Sequence, residues 1–520
     1  MPASIEYSEI LSLSLQRLID KKCIFGNQKK HLKIITMENV FQNLKPEKVW
    51  QYFAEICEIP HPSKKEEKMV KYLIDFGKHH NLETITDEVG NVVIRKPATP
   101  GFENKPWVAL QSHIDMVCEK EAGSSFNFDT DPIIPRIDGE WVKATGTTLG
   151  ADDGIGVAAQ LALLDATDIE HGPIECLFTV DEETGLTGAF ALKPEMLKSR
   201  ILLNLDSEDE GEIFIGCAGG KDTVGTRYYT SEPAPEGMTA VQITVGGLKG
   251  GHSGDDIHRG LGNANKILGR ALWEISSDYP SARLASFDGG NLRNAIARDA
   301  VAVILIPAGK EKEVFSYIEN LDKTVKAEYK ITDPLVHVEI KNADNPGQVV
   351  DSKTANKLID LIYAMPHGVI AWAQDIEGFV ETSTNLASIK MSNNTITIST
   401  SQRSSVASAK QNICNAVAAT FRMAGFEFKH GDGYPGWTPD PNSAILKITV
   451  EQFEKQFGYK PVVRAIHAGL ECGLFSEKIP GMDMVSFGPT LRGVHSPDEK
   501  LLIPTVERFW NLILNTLQNV

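Results

Sequence analysis

Two histidines and three carboxylates of this chain stand at the ends of apolar segments, where side chains converge on an edge. They are His113 in Gln111-Ser-His-Ile-Asp115, Asp152 in Gly150-Ala-Asp-Asp-Gly-Ile-Gly156, Glu183 in Asp181-Glu-Glu183, Asp206 in Asn204-Leu-Asp206, and His495 in Val494-His-Ser-Pro497. Imidazole nitrogen and carboxylate oxygen suit borderline-soft dications such as zinc, and a catalytic ion takes three protein ligands and leaves one position for water. The five residues supply that count twice if Asp152, with two oxygens, bridges the ions. One ion would sit on His113, Asp152 and Asp206, the other on Asp152, Glu183 and His495, with a bridging hydroxide as nucleophile.

His113 and Asp115, two apart, share one side of an extended segment, so Asp115 can accept the other ring N–H of His113 and fix its tautomer. In Glu182-Glu183, neighbours on an extended chain point apart, which makes Glu183 the ligand and leaves Glu182 facing the water as general base. Each pattern is common without a metal: an aspartate at a helix start is most often a cap and a glutamate pair is most often a solvated face. Their shared placement after apolar runs is what singles them out.

The elements that must position these residues alternate in type. Trp107 to Leu110, Ile174 to Val180 and Ile201 to Leu205 read as buried strands and Ile155 to Leu164 as a helix, the texture of an α/β domain. Ligands of such domains bind beyond the carboxyl ends of the strands, where His113, Glu183 and Asp206 are expected. Past Gly219-Gly220 the pattern changes. Strands at Thr239 to Val245, Ala300 to Ile306, Leu335 to Ile340 and Thr395 to Ser401 interleave with helices at Gly262 to Ile275 and Glu311 to Tyr329, reading as a separate α+β domain. The turn-rich Gly431-Asp-Gly-Tyr-Pro-Gly-Trp437 marks its exit. A helix over Ser443 to Phe457 and a strand over Asp483 to Phe487 then return the chain to the first domain. The expected division is 1–36 as a dispensable extension ahead of Met37, 37–219 and 434–520 as one domain, and 220–433 as an insertion.

At 520 residues the chain needs more than one core. Its 52 Lys plus Arg against 69 Asp plus Glu leave a formal charge of −17, which disfavours nucleic acid or an anionic membrane as partner. Seven scattered cysteines with no C-x-x-C spacing fit a reducing cytoplasm better than a disulfide framework or a thiolate zinc cluster, and no apolar run is long enough to span a bilayer.

The ordered segments Gln-Ser-His113-Ile-Asp115, Leu-Gly-Ala-Asp152-Asp153-Gly, Val-Asp-Glu182-Glu183-Thr-Gly, Asn-Leu-Asp206-Ser-Glu, Gly-Gly-His252-Ser-Gly, Asn291-Leu-Arg-Asn294, Ile-His467-Ala-Gly-Leu-Glu471 and Val-His495-Ser-Pro resemble the M20 family of dinuclear zinc peptidases from about Met37 onward. The resemblance is closest to its aminoacyl-histidine dipeptidase branch. It implies a zinc-peptidase catalytic domain, α/β with a mixed sheet flanked by helices, interrupted by an α+β lid domain. The implied cofactor is a pair of zinc ions, replaceable by cobalt or manganese, and the implied activity is hydrolysis of unblocked dipeptides, including Xaa-His and β-alanyl-histidine. The resemblance also implies a cis peptide at Asp152-Asp153, His252 as a lid histidine polarising the scissile carbonyl, and Asn294 and Arg403 as holders of the substrate carboxylate. Asn291 competes with Asn294 for that role. Asp153, often asparagine in the family, is expected to add negative charge. Small dipeptides are the expected partners, a homodimer is left open, and the rival readings are an amidohydrolase of N-acyl amino acids and a non-catalytic binding protein on the same fold.

Other residues take a plainer reading. His61, His79 and His80 are expected to be solvated, and Cys118 a small packed thiol. His467 and Glu471 stand at helical i, i+4 spacing, and the resemblance implies that they support the site without binding metal.

Overall fold

Three short apolar runs, every residue of them buried or nearly so, become the parallel centre of a sheet: Val108–His113, Ile174–Thr179 and Ile201–Asn204. Full burial on both faces is what a parallel arrangement demands, and it explains why these strands read as continuous rather than alternating apolar sequence. The computed structural model describes residues 40–374 and 376–520. The extension expected at 1–36 lies outside the described residues.

The described chain forms two units. The first comprises the residues up to Ile213 together with Asn442–Val462 and Gly481–Val520. Its strands run in the order Glu83–Thr86, Val92–Lys96, Ile174–Thr179, Val108–His113, Ile201–Asn204, Asp483–Ser486. Val92–Lys96 pairs antiparallel with both Glu83–Thr86 and Ile174–Thr179, and the other three pairings are parallel, so the sheet is mixed. The helix Ala151–Asp165 packs on this sheet and against the helix Glu47–Cys57, whose Phe53 and Ile56 lie at contact distance from Gly154. Burying such large side chains contributes about 1.5–3 kcal/mol each. A second sheet of this unit pairs Leu491–Arg492, Lys500–Leu502, Trp141–Ala144 and Pro135–Asp138 in that order. It holds the segment around His495 in place.

The second unit comprises Phe214–Pro441 and Val463–Pro480. Among its described residues nine strands form an antiparallel sheet centred on the long strands Val380–Ser392 and Thr395–Ser404. The helices Ala264–Asp278, Glu311–Glu328, Ser352–Ala364 and Ala407–Met423 bury their apolar stripes in a core that includes Leu268, Phe287, Ile304, Leu358 and Phe421. Among the described residues no helix is long and apolar enough to cross a membrane.

Candidate active site

The strand Val108–His113 ends with its last side chain at the carboxyl edge of the first unit's sheet, and Asp206 follows the neighbouring strand Ile201–Asn204. His113 is 1% exposed, and its Nε2 lies 3.1 Å from Asp152 Oδ1 and 3.5 Å from Asp206 Oδ1. The other oxygen of Asp152 faces the other histidine: Oδ2 is 3.3 Å from Nε2 of His495, which is 3.0 Å from Glu183 Oε2. Ligand atoms of His113, Asp152 and Asp206 all lie within 4.8 Å of one another, as do those of Asp152, Glu183 and His495.

Asp152 reaches both groups because the start of its helix is irregular. Gly150 adopts φ +70°, Asp152 and Asp153 depart from helical angles, and the Asp152–Asp153 peptide is cis. The positive φ of Gly150 favours glycine, and a Cβ there would make a tight contact with Met116 Sδ at 3.1 Å. His495, at φ +61°, and Asp181, at φ +51°, also occupy the left-handed region, where a side chain costs about 1–2 kcal/mol. Both flank or carry residues of the cluster.

Glu182 and Glu183 are not on an extended chain, contrary to the sequence expectation. They begin the helical turn Glu182–Gly185, set off by the positive φ of Asp181. Consecutive residues of a helix still diverge by about 100°. A ligand atom of Glu182 nevertheless comes within 4.8 Å of atoms of His113 and Glu183. Asp115 organises this turn: Oδ1 accepts the N–H of Glu182 at 3.0 Å, and Oδ2 accepts the N–H of Glu183 at 3.3 Å and the Ser63 hydroxyl at 2.7 Å. Its carboxylate lies 3.3 Å from His113 Nδ1, whose better-formed hydrogen-bond contact, at 3.1 Å, is to the Asp115 carbonyl.

The electrostatics are those of buried carboxylates facing two imidazoles. Burial, with the Asp152 carboxylate adding to it, raises Asp206 to about 7 against the pull of His113. Burial also raises Glu183. His495 rises to about 11 through its hydrogen bonds to Asp152 and Glu183, and His113 is held well above its ordinary value because Asp206, Asp115 and Asp152 outweigh its burial. Asp115 runs the other way: burial would raise it, but His113, Ser63 and the Glu182 amide together hold it below the usual carboxylate range. Oε1 of Glu183 is buried without a hydrogen-bond partner among the described residues. A nitrogen and oxygen donor set, three ionisable acids and an orphaned ligand oxygen fit divalent cations of the zinc class.

In the second unit, His252 and Arg403 come together. Nε2 of His252 lies 3.3 Å from an Arg403 guanidinium nitrogen, while its Nδ1 accepts the N–H of Asp255 at 3.2 Å. Arg403 is 6% exposed and also donates to the Tyr434 hydroxyl at 3.2 Å. The Asn294 carbonyl accepts the N–H of Ser253, next to His252, at 2.8 Å. The side chains of Asn291 and Asn294 are both on exposed residues.

A model of peptidase family M20/M25/M40 matches residues 109–519. The chain belongs to this family. It is 42% identical over 477 residues to the cytosol non-specific dipeptidase of Escherichia coli, covering 92% of this chain and 98% of that protein. Among solved structures it is similar to the aminoacylhistidine dipeptidase of Vibrio alginolyticus, with 44% identity, a TM-score of 0.85, and coverage of 92% of this chain and 98% of that one. A tripeptidase of Staphylococcus aureus, 16% identical with a TM-score of 0.52 over 92% of this chain and 98% of that one, shares the fold. The protein is a metallopeptidase with the M20 fold.

Several residues of this M20 peptidase depart from their sequence reading. His61 is 4% exposed rather than solvated: Nδ1 faces the Ile59 carbonyl at 2.5 Å, and the chain at Pro62 bridges to Met116. His79 is exposed, and His80 half-buried. His467 and Glu471 do not share a helix. His467 follows the strand Val462–Ile466, and Glu471 opens the helix Glu471–Lys478 after a Gly469 turn. Nε2 of His467 meets the Ser383 hydroxyl at 2.7 Å, and burial lowers His467 to about 3, so it is a neutral imidazole. Asp153 is 2% exposed, and burial together with the Asp206 and Asp152 carboxylates pushes its pKa well up, so the added negative charge expected there is opposed. Cys118 keeps its reading as a packed thiol: it donates to the Met116 carbonyl and is pushed up to about 12, chiefly by burial.

The sequence reading missed Ser63 and Glu499. Ser63 carries no local signal, since a serine 52 residues from Asp115 is joined to it only by folding. Glu499 drew no reading of its own, yet it is 2% exposed and its carboxylate accepts the N–H groups of Leu149, Gly150 and Ala151.

Proposed function

We propose that this peptidase hydrolyses unblocked dipeptides, among them Xaa-His and β-alanyl-histidine, to free amino acids. The observation that carries the reading is Asp152, whose two oxygens face His113 and His495 separately and so serve two three-ligand groups. The names of the Escherichia coli and Vibrio alginolyticus relatives support the dipeptide and histidine preference. We place the protein in the cytoplasm by the same analogy.

His113, Asp152 and Asp206 would hold one zinc ion, and Asp152, Glu183 and His495 the other. Bound zinc, or cobalt or manganese in its place, polarises a carbonyl oxygen and acidifies a water at neutral pH. Glu182 takes the proton of the attacking water on a carboxylate oxygen and returns it to the leaving amine. Asp115 keeps Glu182 in place by accepting its backbone N–H, and it orients His113. His252 donates from its ring to the scissile carbonyl oxygen as charge develops there. The Arg403 fork, with Asn294, holds the substrate carboxylate, a geometry that suits a guanidinium.

The test is hydrolysis of β-Ala-His, Gly-His, Leu-Gly, a tripeptide and N-acetyl-histidine by protein stripped with chelator and reloaded with zinc or manganese. Metal-restored cleavage confined to the unblocked dipeptides is the expected result. Cleavage of N-acetyl-histidine alone would transfer the protein to amidohydrolase chemistry, and no cleavage by the reloaded protein would overturn the reading.

A further inference from the structure

A buried carboxylate outside the proposed ligand set ties together the two segments that carry Asp152 and His495. Glu499 Oε2 accepts the N–H of Leu149 at 2.7 Å and of Gly150 at 3.1 Å, while Oε1 accepts the N–H of Ala151 at 2.8 Å and faces that of Asp152 at 3.5 Å. These consecutive amides form the irregular lead-in to the helix Ala151–Asp165; Asp153 Oδ1 accepts the N–H of Gly156 at 3.2 Å further along, and the amides of residues 149–151 fall to Glu499. The first N–H groups of a helix have no partner within it and carry the positive end of its dipole. An ionised carboxylate is the group that satisfies several of them at once, since it offers two oxygens and no donor.

Glu499 is at the same time anchored to the His495 segment. Its own N–H donates to the Ser496 carbonyl at 3.0 Å, and the strand Lys500–Leu502 that follows it pairs with Trp141–Ala144. The positive φ of His495 turns this short segment so that Nε2 reaches Asp152 Oδ2 at 3.3 Å. The two ligand segments are 343 positions apart in sequence, and the Glu499 carboxylate closes them over a few ångströms.

We infer that Glu499 is a positioning residue of the metal centre: by clamping the amides of residues 149–152 it sets the orientation of the bridging Asp152 relative to His495, and so the affinity for divalent cations. The inference rests on the two-cation reading above. A buried partner one step behind a ligand typically changes metal affinity about 10–100-fold when it is lost.

Glu499→Gln keeps the length of the side chain but turns an NH2 group toward N–H donors. Glu499→Asp keeps the charge and withdraws it by one methylene. Both variants and the wild-type full chain are stripped with chelator and titrated with cobalt(II), reading stoichiometry, dissociation constants by chelator competition, and the visible absorption of the loaded protein. Melting of the cation-free proteins is recorded beside these. The expected result is that the wild type binds two cobalt ions and the variants bind at least one of them about 10–100-fold more weakly with an altered visible spectrum. Unchanged affinities and spectrum in folded variants, with only the cation-free melting temperature lowered, would overturn the inference and leave Glu499 a helix cap. Failure of both variants to fold would also assign it to stability alone. Absence of cobalt binding by the wild type would instead overturn the metal reading itself, and this inference with it.

Discussion

The carboxylate of Asp115 accepts the backbone N–H of Glu182 at 3.0 Å. It thereby joins the end of the strand Val108–His113 to the turn that carries the proposed general base, and it does so while lying 3.3 Å from the His113 ring. Asp115→Asn replaces an anion with a side chain whose NH2 half must face donors from Ser63, His113 or the glutamate turn. Activity on a dipeptide is expected to fall about 10–100-fold, accompanied by weaker metal retention on dialysis against chelator. Wild-type activity in this variant would show that the Asp115 charge is dispensable.

Glu182→Gln removes the proton acceptor and keeps the shape. The turnover number is expected to drop about 10²–10⁴-fold while bound metal, measured by elemental analysis, stays at the wild-type level. Equal loss of metal and activity would instead make Glu182 a ligand, the role its closeness to His113 and Glu183 would allow.

The cation-free protein should become less stable as pH rises. Burial raises Asp206 to about 7, Glu208 to about 8 and Glu499 to about 7, each with the Asp152 charge adding to the rise. His495 is raised to about 11 by its carboxylate partners. All four hold a proton more tightly folded than unfolded, so the stability they contribute is full below their ordinary values and is lost as pH climbs through the folded ones. Asp115 and Asp152, which are lowered, act only in the acid range below ordinary carboxylate values. The buried histidines His367 and His467, lowered to about 4 and about 3, oppose this trend below the ordinary histidine value, so the melting temperature of chelator-stripped protein is expected to fall between about pH 6.5 and about pH 8, and added zinc is expected to raise it most at the upper end. A melting temperature that climbs with pH over this window would contradict the assignment.

Arg403→Lys exchanges a buried fork, bonded to Tyr434 and against His252, for a point charge. The Michaelis constant for free dipeptides is expected to rise about tenfold or more, with a smaller change for dipeptide amides, whose C-terminus carries no charge. An identical change for both substrates would separate Arg403 from carboxylate recognition.

Gly156→Ala tests the packing beneath Asp152. A Cβ there would lie 2.4 Å from Asp153 Oδ1 and 2.5 Å from Ser112 Oγ. The variant is expected to lose about 1–3 kcal/mol in denaturant unfolding, as overpacked sites do. A neutral result would mean that the helix start can move without cost.

Much of this was legible in the sequence for a local reason. A strand buried on both faces must be apolar along its length, so a histidine or acid immediately after such a run is marked by contrast, and His113, Glu183 and Asp206 are all found by that sign. Glycines flanking Asp152 mark a backbone that must turn tightly or approach closely, again a local demand. The sequence by itself therefore determined the three buried parallel strands of the first unit, its helices Ala151–Asp165 and Ala444–Phe457 and its strand Asp483–Ser486, the donor chemistry of five residues and the mixed strand-and-helix texture of the second unit.

Contacts between residues distant in the chain were decided only by the tertiary structure. Which oxygen of Asp152 faces which histidine depends on where His495 is delivered by a pairing of Lys500–Leu502 with Trp141–Ala144, and no periodicity encodes that register. Burial of His61, Asp153 and Glu499 is likewise a property of what packs over them; His61 reads as solvated, Asp153 as an added charge, and nothing local marks Glu499. The turn of Glu182 and Glu183 followed from a positive φ at Asp181, which the residue type permits but does not announce. Residue identity sets which chemistry a side chain can perform, whereas its orientation and ionisation are set by long-range packing and by the charges that packing brings within a few ångströms.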